Sequence, residues 1–336
     1  MSRWICVLFA LLYLPPRPSL ADDTGPSAAA VSKIGVKLKN GHAAIGSATL
    51  VAPGKLITSC HTTRDASEIF VLHREGQLAG SVTKSDLRHD LCLLTVPALR
   101  AQSAKRLASA QLEVGQPVTA LGYGMSFRLS VTEGRITALY PFDGARVVRT
   151  SASFPRGASG GGLFDDQGRL VGILTFRASI DDQLNYAVPM EWVDRLLGSD
   201  TVGRIDSQPS LAFWEDDAAD QPIFLHAAWL EYAQAWSELE AVAIDWALRE
   251  PENAEAWLAL GRARIELNRD KDAVLWMRRA VALQDKNTRA WYWLAYAYHR
   301  IGYTNEFAGA SARLEQLDPQ LAARLLNIAG SDTERH

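Results

Sequence analysis

The chain is poor in residues that bind metals or cross-link a fold. Its 336 residues include three cysteines, Cys6, Cys60 and Cys92. None of His42, His73, His89, His226 and His299 sits at a metal-ligand spacing from another ligand type, so no metal and no other cofactor is expected. Runs of Lys or Arg are missing and the net charge is −3, which argues against a nucleic-acid partner. Long apolar runs are missing too, apart from Trp4 to Leu14 behind Arg3. That run is too short to span a bilayer comfortably. Pro15-Pro16 break it, and Ser19-Leu20-Ala21 offers small residues at cleavage positions. Residues 1–21 therefore read as a secretory signal peptide cut after Ala21, which implies a periplasmic or secreted protein with no stable membrane insertion. An uncleaved anchor is the alternative. Cleavage would remove Cys6 and leave Cys60 and Cys92.

What is present is concentrated in three strings: Thr58-Ser59-Cys60-His61-Thr62, His89-Asp90-Leu91-Cys92-Leu93-Leu94 and Gly157-Ala158-Ser159-Gly160-Gly161-Gly162. A serine hydroxyl is a weak nucleophile at neutral pH. It needs an imidazole to take its proton and a carboxylate to orient that imidazole. Ser159, His61 and Asp90 are the candidates for those roles. The serine string alone also fits G-x-S-x-G, the nucleophile elbow of α/β-hydrolases, but that fold places its acid and then its His after the Ser. Here the later histidines lie in a helical region (His226, His299) or at the last residue (His336), so a serine esterase on that fold is disfavoured. The glycines around Ser159 would let the N–H groups of Gly157 and Ser159 converge as an oxyanion hole. Pro155, which has no N–H, precedes that spot.

The order His, Asp, Ser on short strands broken by Gly and Pro resembles the chymotrypsin fold. More narrowly, it resembles the bacterial trypsin-like peptidases of the HtrA/Deg type. The matching segments are Thr58 to Thr62, Asp90 to Leu94, Gly157 to Gly162, and Asn185-Tyr186-Ala187-Val188-Pro189 ahead of a closing helix from Met190 to Leu197. The resemblance covers roughly residues 31 to 198 and implies two β-barrels with catalysis in the cleft between them. It also implies that Ser153 sits at the base of the primary specificity pocket and that Thr175-Phe176-Arg177 forms the wall pairing with substrate. With no acid at that base, cleavage after Lys or Arg is not expected. Ala158 replaces the usual Asn or Asp before the nucleophile, and Gly162 replaces the usual Pro. No PDZ domain follows. Because His61 and Asp90 must touch, Cys60 and Cys92 must be close. A disulfide bracing the site and a pair of buried thiols both remain open.

Residues 22–30 are small and polar, a flexible N-terminus. Ser32 to Lys39 alternates like a strand, Asn40-Gly41 signals a hairpin, and residues 99 to 111 read as the connection between barrels. Residues 199–220 are polar and acidic, a linker, with Glu215-Asp216-Asp217 near its end. Beyond it composition shifts: eight of ten Trp lie at or after Trp214, and helical periodicity takes over. Trp257-x-x-Leu260-Gly261 recurs as Trp291-x-x-Leu294-Ala295 after 34 residues, so residues 221–328 resemble tetratricopeptide (TPR) repeats, two clear and one weak at about 221–254. Residues 329–336 form a polar tail. Such repeats stack into a shared core with a concave groove. Arg262, Tyr292, Tyr296 and His299 are its candidate contacts to a protein partner, while most Trp, Leu and Ala are core.

The expected fold is thus multidomain: an all-β double β-barrel followed by an all-α helical repeat. The expected function is an exported serine endopeptidase acting on proteins or peptides, with the TPR region recruiting substrates or partners. A catalytically silent scaffold that binds proteins through the helices is the alternative.

Overall fold

The computed structural model describes residues 25–73, 76–125, 128–177, 184–199, 211–218 and 220–333. The signal peptide call and most of the linker call lie outside those residues. A short helix α1 (Gly25–Ala29) opens the described chain. The flexible N-terminus expected for 22–30 therefore gives way to structure from Gly25 on. Ala30 is fully buried and its carbonyl accepts from Leu50 N–H.

Strands β1 (Val31–Leu38), β2 (Ala43–Ala52) and β3 (Lys55–Ser59) lead into a single helical turn, α2 (Cys60–Thr63). Strands β4 (Ala66–His73), β5 (Gly76–Asp86) and β6 (Leu91–Thr95) complete a closed barrel in the order β1-β2-β3-β6-β5-β4. The Asn40-Gly41 hairpin forms as expected, with Gly41 in the left-handed region at φ 85° and its N–H on the Leu38 carbonyl. Strands β3 and β6 are strongly apolar. Leu56, Ile57, Leu91, Leu93 and Leu94 are all buried, because these strands are covered on both faces.

The connection from residue 96 to 116 crosses to β7 (Pro117–Tyr123), β8 (Leu129–Phe142), β9 (Ala145–Thr150), β10 (Gly162–Asp165), β11 (Leu170–Arg177) and β12 (Asn185–Pro189). These close a second barrel in the order β10-β11-β12-β9-β8-β7. Helix α3 (Met190–Gly198) follows at once. It buries Trp192 and Val193 fully, and Trp192 Nε1 donates to the Asp143 carbonyl at 3.1 Å.

The helical region begins with α4 (Ile223–Tyr232) and α5 (Trp236–Arg249). Next come α6 (Ala254–Glu266) and α7 (Asp270–Leu283), then α8 (Thr288–Arg300) and α9 (Thr304–Leu317), which begin 34 residues after α6 and α7 respectively. The last helix, α10 (Pro319–Thr333), runs through part of the expected polar tail. Asn253 and Asn287, again 34 residues apart, cap α6 and α8 by accepting backbone N–H bonds.

The helices are not strung on a free tether. Of the expected linker, residues 211–218 are described, and they pack on the barrels. Phe213 is fully buried among Phe142, Phe176, Trp192 and Trp214, and its N–H donates to the Arg88 carbonyl. Phe224 of α4 stacks on Tyr140 of β8 at 4.4 Å, and the Tyr140 hydroxyl donates to Glu255 of α6 at 3.3 Å. Burial pushes the Tyr140 pKa upward, which keeps the phenol protonated as a donor. Second barrel, segment 211–218 and α4–α6 thus share one hydrophobic core.

Candidate active site

His61 and Asp90 are brought together by chain geometry rather than by side-chain reach alone. β3 pairs with β6 in a register that sets Ser59 opposite Leu91, so α2 and the residue before β6 meet at one end of the barrel. Cys60 N–H donates to the Asp90 carbonyl, and a Cys60–Cys92 disulfide spans the same place with Cα atoms 5.0 Å apart. Asp90 sits in the left-handed region at φ 57°, a conformation that Asp tolerates better than most residues. That turn aims its carboxylate back at α2. Its Oδ1 accepts His61 N–H at 2.7 Å, and its Oδ2 accepts His61 Nδ1 at 2.6 Å. Asp90 is 1% exposed. A carboxylate only accepts hydrogen bonds, so Nδ1 carries the hydrogen and Nε2 is left with a free lone pair. The 2.6 Å separation fits a charge-assisted bond.

Thr175 has a larger part than a pocket wall. Its hydroxyl donates to Asp90 Oδ2 at 2.9 Å, giving the buried carboxylate a third donor. Its carbonyl accepts the Ser159 hydroxyl at 2.9 Å. Ser159 and His61 line one cavity of about 760 Å³ with Phe154, Pro155, Arg156, Gly157, Thr175, Arg177, Trp229 and Tyr232. No hydrogen bond joins Ser159 Oγ to the imidazole among the described residues, because the hydroxyl is turned onto Thr175.

The turn that carries Ser159 is held from the first barrel. Ser47 N–H donates to the Ser159 carbonyl, Thr49 Oγ1 donates to the Gly160 carbonyl at 2.9 Å, and Ser47 Oγ lies 3.0 Å from the Gly157 carbonyl. These small polar residues of β2 are fully buried for that purpose. Gly160 is required by contact: a Cβ there would lie 2.1 Å from the Ser47 carbonyl oxygen. Gly157 is required by conformation, at φ 90°. Among the described residues neither Gly157 N–H nor Ser159 N–H has an internal acceptor, whereas Ala158, Gly160 and Gly161 N–H all do. Ala158 is fully buried against Gly122, where a Cβ on residue 122 would lie 2.7 Å from the Ala158 methyl. Of the remaining expected residues, Phe176 stacks on Tyr186 at 4.6 Å and on Trp214 at 4.5 Å, and Ser153 is half-buried and does not line the cavity.

The surroundings make His61 a stronger base than a free imidazole. Burial alone would lower the His61 pKa, but the hydrogen bond and charge of Asp90, aided by Glu215, outweigh it and hold the pKa above 6.5. Glu215 pairs with Arg64 at 2.7 Å. Trp214 meets the His61 ring edge-on at 6.4 Å. Arg64, Trp214, Glu215, Trp229 and Tyr232 carry no signal of the site in the sequence. Trp214 and Glu215 fall in the polar stretch that reads as a linker, and Trp229 falls in the helical repeat, where most Trp read as core. Metal-binding clusters are absent among the described residues.

Residues 46–173 match the trypsin-like peptidase domain family. This part of the chain resembles a trypsin-like peptidase domain of the HtrA/DegP type. A probable periplasmic DegP-like serine endoprotease of Ectopseudomonas mendocina is 33% identical over a stretch covering 44% of this chain and 33% of that protein. The serine endoprotease DegS of Haemophilus influenzae is 29% identical over 46% of this chain and 49% of its own. The chain thus spans between a third and a half of the length of these curated relatives. Among solved structures, the HtrA-type protease AlgW with a tripeptide aligns at 26% identity and TM-score 0.49, covering 54% of this chain and 62% of that one. Among the described residues no helix is long and apolar enough to cross a membrane.

Proposed function

We propose that the protein is a serine endopeptidase acting through His61, Asp90 and Ser159, exported to the periplasm or beyond. One observation carries this reading. An imidazole fixed by a buried carboxylate opens onto the same cavity as a serine flanked by two unspent backbone N–H groups. In this mechanism the Ser159 hydroxyl rotates off the Thr175 carbonyl toward His61 Nε2. Nε2 takes its proton as Oγ attacks the substrate carbonyl, and the N–H groups of Gly157 and Ser159 receive the oxyanion. The imidazolium, stabilised by Asp90, then protonates the leaving amine as the C–N bond breaks. Water, deprotonated by His61, releases the acyl group and restores Ser159. No cofactor is needed for any of these transfers.

The pairing of α6–α7 with α8–α9 at an interval of 34 residues supports a TPR-type helical domain that binds protein partners through its groove. Substrates are proteins or extended peptides. A silent scaffold is the second reading, favoured by the Ser159 hydroxyl resting on Thr175 rather than on His61. Casein hydrolysis by the mature protein distinguishes the two. The peptidase reading requires turnover that falls to background in Ser159→Ala. Equal turnover in the wild-type and Ser159→Ala proteins, or none in either, overturns it.

A further inference from the structure

The cavity that holds His61 and Ser159 is not closed by barrel residues alone. Trp229 and Tyr232 of α4 form part of its wall. α4 spends Phe224, Leu225, Ala227 and Leu230 on the core. Trp229 and Tyr232, three residues apart and so neighbours on the helix surface, stay 52% and 51% exposed. Two large aromatics half open to water, beside a candidate nucleophile, are an unfilled contact surface.

Their position along a bound chain follows from β11. Pairing of β10 with β11 reaches only Gly162 opposite Ile173, and the turn bonds Leu174 through Gly160 and Gly161. Ser159 is bonded to the Thr175 carbonyl, and Arg177, which lines the same cavity, lies two residues, about 7 Å, farther along β11. A peptide running from Ser159 along that strand passes the wall formed by Trp229 and Tyr232 two to three residues from the bond at Ser159.

We propose that α4 supplies an aromatic subsite for peptide substrates. Trp229 and Tyr232 hold a bulky apolar side chain two to three residues from the bond cut. The helical region then determines specificity directly, as part of the catalytic cleft and not only as a remote recruiter. This inference rests on the peptidase reading above.

The test is digestion of unfolded casein by the full-length mature protein, with the cut sites sequenced by mass spectrometry. Cuts should be enriched for Phe, Tyr, Leu or Met two to three residues away. On a fluorogenic peptide built from the preferred site, Trp229→Ala and Tyr232→Ala should each lower kcat/KM about tenfold, mainly through KM, and should erase the apolar enrichment. Trp229→Phe should retain most of both. Leu275→Ala, an exposed apolar residue on α7, should change neither. If Ser159→Ala abolishes digestion but Trp229→Ala and Tyr232→Ala keep the same flanking preference and KM, the subsite is refuted and the peptidase reading stands. If wild type and Ser159→Ala behave alike, both fall.

Discussion

Truncating Phe213 measures whether the segment after α3 is a tether or part of the fold. Phe213 is fully buried, with its ring centroid 5.0 Å from Phe142, 5.1 Å from Trp214, 5.7 Å from Phe176 and 5.9 Å from Trp192. Phe213→Ala removes most of those contacts and leaves a cavity that rigid aromatic neighbours cannot easily fill. Buried Phe→Ala changes cost about 3–5 kcal/mol. A residue on a free linker would cost within about 0.5 kcal/mol. At roughly 2–4 °C per kcal/mol for a protein of this size, the packed segment predicts a fall in melting temperature of about 6–20 °C. Near-ultraviolet circular dichroism during thermal unfolding reads the change, since the cluster is aromatic. The substitution also loosens Trp214, which bridges Phe176 and His61, so reaction with an active-site probe should slow in the same sample. A melting temperature within 1–2 °C of wild type, with unchanged probe reactivity, would refute the packed-segment account.

The site sets three further outcomes. Thr175→Val keeps shape but removes one of three donors to the buried Asp90 carboxylate, and should cost about 1.5–3 kcal/mol of stability, read by denaturant unfolding; no loss would contradict the Thr175–Asp90 bond. The general base must be unprotonated, and its pKa is raised, so the acid limb of kcat/KM should have its midpoint above pH 6.5. Glu215→Gln removes a charge that raises the His61 pKa and should move that limb to lower pH; a shift upward, or none, would contradict the assigned electrostatics.

Much of the barrel fold was readable because its signals are local. The alternation in β1, the Asn40-Gly41 turn and the glycines at 157 and 160 each state a backbone requirement within a few residues. The order of His61, Asp90 and Ser159 then selected one arrangement of strands. The adjacency of Cys60 and Cys92 followed from that arrangement, and the structure pairs them. What could not be read was contact at long sequence separation without a motif. Glu215 reaches Arg64 across 151 positions, and an acidic stretch gives no sign of which arginine it meets. Trp229 and Tyr232 sit in a helix where aromatics usually mean core, and only three-dimensional placement shows them facing the cleft. Its offset from Ser159 marks Thr175 only as a wall residue. Its hydroxyl bond to Asp90 depends on how closely the two barrels approach, a tertiary quantity no local pattern encodes.

The central claim is that Ser159 is a nucleophile activated by His61 and oriented through Asp90. The most direct measurement is reaction of the purified mature protein with a fluorophosphonate, followed by mass spectrometric mapping of the adduct. The account predicts a single adduct on Ser159, absent in Ser159→Ala and formed orders of magnitude more slowly in His61→Ala. An adduct on another residue, or equal labelling of Ser159 with and without His61, would contradict it.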